Sequence, residues 1–290
     1  MRTKIRLLIG LTAAAVVAAI VTPAGSAATV TLGPLGPCCF EELPLHYDAA
    51  PGETNDVQIF MSVFGGGSFN GAPSGTWIVV DNSAPITAGA GCTSLDAHTA
   101  KCSEPPGSTE LFLHAIVNLG DMDDSLHGEG ACGSIIIPEE DLCGVTADGG
   151  DGDDRLYSPD VGYSSLDGGN GADRLFAGTK GIRDPSYNSS ELLGGTGNDR
   201  LTGHGQRDSI LGGPGNDLLR GNGGNDYLAG RDGRDVVGGG DGRDTILGGS
   251  GNDVLWARDG FKDFVGGGSG SDRARRDVGL DSLHSIEAFF

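Results

Sequence analysis

Residues 194–256 read GGTGNDRLT GHGQRDSIL GGPGNDLLR GNGGNDYLA GRDGRDVVG GGDGRDTIL GGSGNDVLW, seven nine-residue units in unbroken register. Glycine opens every unit, at Gly194, Gly203, Gly212, Gly221, Gly230, Gly239 and Gly248. Aspartate is sixth in each, at Asp199, Asp208, Asp217, Asp226, Asp235, Asp244 and Asp253, and Leu201, Ile210, Leu219, Leu228, Val237, Ile246 and Leu255 are eighth. Self-similarity at a fixed short period is the signature of a solenoid, in which each unit packs on its neighbours.

The nine positions divide by physical role. Glycines at the first, fourth and often second positions permit positive φ without steric penalty, so six residues make a tight turn. The remaining three form a strand. Alternation along a strand leaves only the eighth side chain facing inward, as its aliphatic character requires. Two units complete one coil, so equivalent residues on an edge are eighteen apart and about 4.8 Å from one another. Asp199, Asp217, Asp235 and Asp253 are thereby expected along one edge, and Asp208, Asp226 and Asp244 along the other.

Carboxylates stacked at that spacing repel by about 0.9 kcal/mol per adjacent pair even in water. A hard divalent cation removes the conflict. Calcium takes six to eight oxygens and accepts backbone carbonyls as well as carboxylates, and glycine turns expose carbonyls. The pattern G-G-x-G-x-D-x-U-x resembles the RTX, or haemolysin-type, calcium-binding repeat. The resemblance implies an all-β, right-handed parallel β-roll with Ca2+ between successive turns. Gly149–Tyr157 (GGDGDDRLY) and Gly168–Phe176 (GGNGADRLF) fit it too, adding Asp154 and Asp173 to the expected ligands.

Several units depart from the pattern. His204 and Gln206 replace glycines in the second unit, Asn222 and Arg231 replace the second glycine in two others, and residues 257–266 break register by one. Weak binding or none is expected of those turns. A degenerate unit follows at Gly267–Asp272, and Asn118–Leu126 (NLGDMDDSL) reads as an eroded early one.

The rest of the chain sets the context. Arg2, Lys4 and Arg6 followed by an apolar run over 7–21 and small residues to Ala28 read as a signal peptide, residues 1–28. The run is short for a membrane span. A secreted, extracellular protein without a stable membrane anchor is therefore expected, and in that compartment the six cysteines can pair. Cys92 with Cys102 and Cys132 with Cys143 are the preferred pairs among fifteen connectivities. Residues 29–146 read as an irregular disulfide-bearing β segment, with short runs at 57–63, 76–81, 111–117 and 134–137, and 147–274 as the roll. In 275–290, Leu280, Leu283, Ile286, Phe289 and Phe290 recur at a three-to-four spacing, which predicts a capping helix or turn. The insertion at 177–193 reads as a loop on the roll.

The formal charge of −21 argues against nucleic acid as a partner, because phosphate binding needs a basic surface. No H-E-x-x-H or G-x-S-x-G occurs and the six histidines are scattered singly, so no enzyme is expected. Calcium ions are the expected partner. An extracellular adhesin or matrix component with a calcium-rigidified roll, engaging an unidentified cell-surface partner, is the alternative.

Overall fold

The computed structural model describes residues 27–32, 45–64, 74–103, 113–129, 143–158, 163–178 and 189–290. The leader through residue 26, Cys38, Cys39, Cys132, the run at 134–137 and most of the insertion at 177–193 lie outside them. No helix occurs among the described residues.

The first strands are β1 (Ala28–Leu32), β2 (Leu45–Asp48), β3 (Asp56–Phe64), β4 (Ser74–Asp81), β5 (Ile86–Ala88), β6 (Cys92–Ser94), β7 (Thr99–Ser103), β8 (Leu113–Asn118) and β9 (Ser125–Glu129). The roll continues with β10 (Cys143–Asp148), β11 (Arg155–Tyr157), β12 (Tyr163–Asp167), β13 (Arg174–Phe176), β14 (Ser189–Leu193), β15 (Arg200–Thr202), β16 (Arg207–Pro214) and β17 (Leu218–Gly224). It closes with β18 (Tyr227–Asp232), β19 (Val236–Gly242), β20 (Thr245–Gly251), β21 (Val254–Ala257), β22 (Phe264–Gly270), β23 (Arg273–Arg276), β24 (Ser282–His284) and β25 (Ala288–Phe289).

From β8 onward successive strands alternate between two parallel sheets, even-numbered strands in one and odd-numbered in the other. In the regular array the register steps by eighteen: Leu201 pairs with Leu219, Leu219 with Val237, and Val237 with Leu255. On the facing sheet Ile210 pairs with Leu228 and Leu228 with Ile246. These side chains are fully buried. The core is thus two facing ladders of single aliphatic side chains, and the fold is a parallel β-roll.

The upstream segment shares the same sheets: β2 pairs in parallel with β8, and β3 with β9. Before them the pairing turns antiparallel, β1 on β2 and β4 on β3 and β7, which covers the first coil. Cys92 and Cys102 form a disulfide across the β6–β7 pair. Ala28 is buried as the first residue of β1.

At the far end, of the helix or turn expected over residues 275–290, the structure has a turn at 278–280 and no helix. Instead β24 pairs with β22 and β25 with β23, adding one last short coil, and Leu283 and Ile286 pack against the core. Two inward positions separated by a turn reproduce the three-to-four spacing that otherwise marks a helix face.

Candidate metal centre

Glycines shape the turns, and at several positions a side chain would have no room. Gly213 and Gly215 have φ of 115° and 153°, and a Cβ on Gly215 would lie 1.3 Å from the Gly197 carbonyl oxygen of the coil below. The turn thereby brings the sixth-position aspartate inward, beneath the first glycine.

There each carboxylate is split in function. Oδ1 accepts the backbone N–H of the equivalent aspartate in the preceding coil: Asp199 donates to Asp217 at 2.9 Å, Asp217 to Asp235 at 2.8 Å, Asp235 to Asp253 at 2.9 Å and Asp253 to Asp272 at 2.9 Å. The same ladder runs upstream through Asp124, Asp154 and Asp173, each step at 2.8 Å. On the second edge it links Asp208, Asp226, Asp244 and Asp263 at 2.8 to 2.9 Å. The two edges hold the sets expected from the sequence.

Oδ2 is a different matter. In Asp124, Asp154, Asp173, Asp199, Asp217, Asp226, Asp235, Asp244, Asp253, Asp263 and Asp272 it is buried and accepts no hydrogen bond. A buried carboxylate oxygen without a donor requires either a proton or a cation. Burial accordingly pushes Asp154, Asp235 and Asp244 up to about 6, Asp173, Asp217 and Asp263 to about 7 and Asp226 to about 8, with neighbouring carboxylates adding to the rise. Asp199 and Asp253 are raised for the same first reason.

The surroundings of Oδ2 suit a hard cation. A Cβ placed on Gly212 would sit 2.3 Å from Asp217 Oδ2 and 2.8 Å from the Gly230 carbonyl oxygen of the next coil. The same cradle recurs at Gly194, between Asp199 Oδ2 at 2.5 Å and the Gly212 carbonyl at 2.5 Å. The first glycine therefore keeps open a point at which carboxylate and carbonyl oxygens converge. Such an all-oxygen donor set fits calcium.

Asp208 departs from its neighbours. Its Oδ2 accepts the His204 backbone N–H at 2.7 Å and lies 3.2 Å from His204 Nδ1, which itself accepts the Gln206 N–H at 3.0 Å, so a main-chain donor takes the oxygen that is left open elsewhere. Asn222 and Arg231 instead adopt φ of 75° and 83° and preserve the turn, and Asp226 and Asp235 in those units keep an unpartnered Oδ2.

Three members of the array escaped the sequence reading. Asp124 lies in the eroded unit at 118–126, whose missing glycines hid it, and Asp272 lies in the degenerate unit. Asp263 is displaced to nineteen residues beyond Asp244 by the extra residue at 257–266. That register break is rich in carboxylates, because Asp259 joins Asp244 and Asp263 with ligand oxygens within 4.8 Å of one another. Asp259 is held by the N–H of Gly242 at 2.9 Å and that of Phe261 at 2.8 Å.

The family model described as the RTX calcium-binding nonapeptide repeat (4 copies) matches residues 146–158, 161–179, 191–219, 206–237 and 238–274. No curated protein matches the chain.

Proposed function

Residues 146–274 are an array of RTX calcium-binding nonapeptide repeats, and from that premise we propose a secreted protein whose roll folds as its turns take up calcium. The observation that carries this reading is the column of buried Oδ2 atoms without a donor. Asp154, Asp173, Asp199, Asp217, Asp235 and Asp253, with Asp226 and Asp244 opposite, are the ligands proposed, joined by Asp124, Asp263 and Asp272. Bound calcium would neutralise adjacent carboxylates and tie consecutive turns together. Without it, two aliphatic side chains per coil are little recompense for ordering eighteen residues of glycine-rich backbone. Extracellular calcium is plentiful, and modules of this kind bind it at about 10⁻⁴–10⁻³ M. The proposal includes no catalytic step.

The test is a calcium titration of the metal-free protein followed by far-ultraviolet circular dichroism. A disordered spectrum that becomes β-rich near millimolar calcium, and not with magnesium, is the expected result. A spectrum already β-rich without metal and indifferent to calcium would refute the coupling.

A further inference from the structure

The outward face of the odd-numbered sheet does not share the acidity of the chain. Between β11 and β23 the two outward side chains that flank each strand's buried aliphatic residue include Arg155, Arg174, Arg200, Arg220, Arg273 and Arg275 and no carboxylate, while exposed Asp241 lies at the far end of β19. The even-numbered sheet is more acidic, with Asp148, Asp167 and Glu191 facing outward beside Arg207, and exposed Arg231 and Asp232 at the far end of β18. For a protein of formal charge −21 this is a segregation of sign.

The arrangement of the arginines is itself costly. Arg155 pairs in register with Arg174, and Arg174 with Arg200, all three exposed. Like charges directly opposite one another on adjacent strands repel. The hydroxyl and aliphatic groups beside them neutralise nothing, and among the described residues no carboxylate is ion-paired to these three. Beyond Arg200 that row continues with Leu218, Val236 and Val254 before Arg273, while Arg220 lies one row over, opposite Thr202, and is followed there by Gly238, Trp256 and Arg275. A trough of about 780 Å³ beside Gly238 is lined by Arg220, Arg258, Arg275, Trp256 and Asp259. The arginines therefore form a cationic track over the four coils from β11 to β17, about 14 Å long for three strand spacings.

We infer that this face is a binding site for an extended anionic polysaccharide, its chain lying along the stack axis with its carboxylates on the arginine row. Arginines on successive coils stand one strand spacing, about 4.8 Å, apart, so a chain with repeated acid groups can meet several of them at once. Guanidinium groups bind carboxylates through paired N–H donors. Trp256 lines the trough, with Arg275 over its ring and Phe290 edge-on against it.

Other polyanions fit less well. Tyr157 and Phe176 stack on each other, with centroids 5.4 Å apart, and His127 lies 5.3 Å from Tyr157, so these rings turn their faces to one another rather than to a nucleobase. The track is only two residues wide, and the turns that border it carry exposed Asp151, Asp153 and Asp232 on one edge and Asp241 on the other. A narrow chain fits between those acids, whereas a planar anionic membrane would meet them.

The inference rests on the calcium reading only in needing the roll folded, so circular dichroism is recorded on every sample at fixed free calcium. The full chain is titrated with hexagalacturonate, its methyl ester, a twelve-nucleotide oligothymidylate and phosphatidylglycerol vesicles, read by calorimetry and tryptophan fluorescence. Hexagalacturonate is expected to bind and its ester to bind at least about tenfold more weakly. Replacing Arg174→Gln and Arg200→Gln together is expected to weaken binding by about tenfold or more, while Arg207→Gln on the other sheet leaves it unchanged. If the double variant fails to fold, Arg220→Gln makes the same test. Absent hexagalacturonate binding to folded protein, equal loss from Arg207→Gln, or tighter binding of oligothymidylate or vesicles would each overturn the inference.

Discussion

His204 occupies the place where the other turns keep a hole. Its backbone N–H donates to Asp208 Oδ2, so this one carboxylate is engaged by a main-chain donor. Replacing His204→Gly should let the turn take the positive φ of Gly213 and Gly240, turn that amide away from Oδ2 and raise the number of calcium ions bound by one, measured by calorimetric stoichiometry; an unchanged count would show that the site is closed for another reason. Asp217→Asn and Asp235→Asn act in the opposite sense. Each removes one acid from the longer column and should raise the calcium midpoint by at least about tenfold, the scale on which even outer partners of a metal act. Asp259→Asn should raise the midpoint of the late turns alone, since it removes the third carboxylate from the Asp244–Asp263 pair. Gly215→Ala has no tolerable outcome in the folded roll. Its φ of 153° and the 1.3 Å approach of the Gly197 oxygen predict a loss above about 2 kcal/mol, read as a shift in thermal midpoint in saturating calcium.

At the scale of the stacked turns and strands, protons and calcium compete for the same oxygens. An unfolded aspartate titrates near 3.9, whereas in the metal-free roll Asp154 titrates at about 6, Asp217 at about 7 and Asp226 at about 8. From about pH 4 to 8 the folded form holds more protons than the unfolded one, so its metal-free stability falls as pH rises through that window. Each tenfold gain in a carboxylate's proton affinity on folding is worth about 1.4 kcal/mol. Metal-free protein should therefore be more β-rich at about pH 4.5 than at about pH 8 by circular dichroism, and calcium affinity should climb over the same interval because binding displaces protons. Equal spectra at both pH values would contradict this. The repeat made most of these turns legible, because glycine and aspartate at fixed positions have one steric and one electrostatic use. Asp263 and Asp124 were harder to place, since a single inserted residue or the loss of the glycines erases the period while the backbone still closes the same turn. The parallel pairing of β2 with β8 and β3 with β9 carries no period at all, as these partners lie about seventy residues apart and are joined by a backbone ladder that leaves no repeat in the sequence. The three-to-four spacing before and within β24 and β25 left helix and turn open, because inward residues that straddle a turn reproduce it.

Over the whole molecule the two ends differ in how they finish the stack. Upstream, antiparallel strands and the Cys92–Cys102 bridge cover the first coil, and Asn55 passes its N–H to Asp124 Oδ1. Downstream, Glu287 Oε2 takes the N–H of Asp272 at 2.7 Å and Asp281 Oδ1 that of Asp263 at 3.1 Å, in place of the aspartates that a further coil would supply. Replacing Asp281→Ala and Glu287→Ala together should lower the thermal midpoint in calcium and leave the amides of Asp263 and Asp272 exchanging faster with deuterium. Slow exchange at those two positions would show the terminal acids to be dispensable.

That ladder has a direction. In the regular array each aspartate's N–H is received by a carboxylate eighteen residues later in the chain, so a coil's own acceptor is always made after it. A polypeptide emerging N terminus first, from a ribosome or through a translocation pore, carries donors whose acceptors have yet to arrive. Asp281 and Glu287 close the series, so each coil is complete only once the segment after it has emerged.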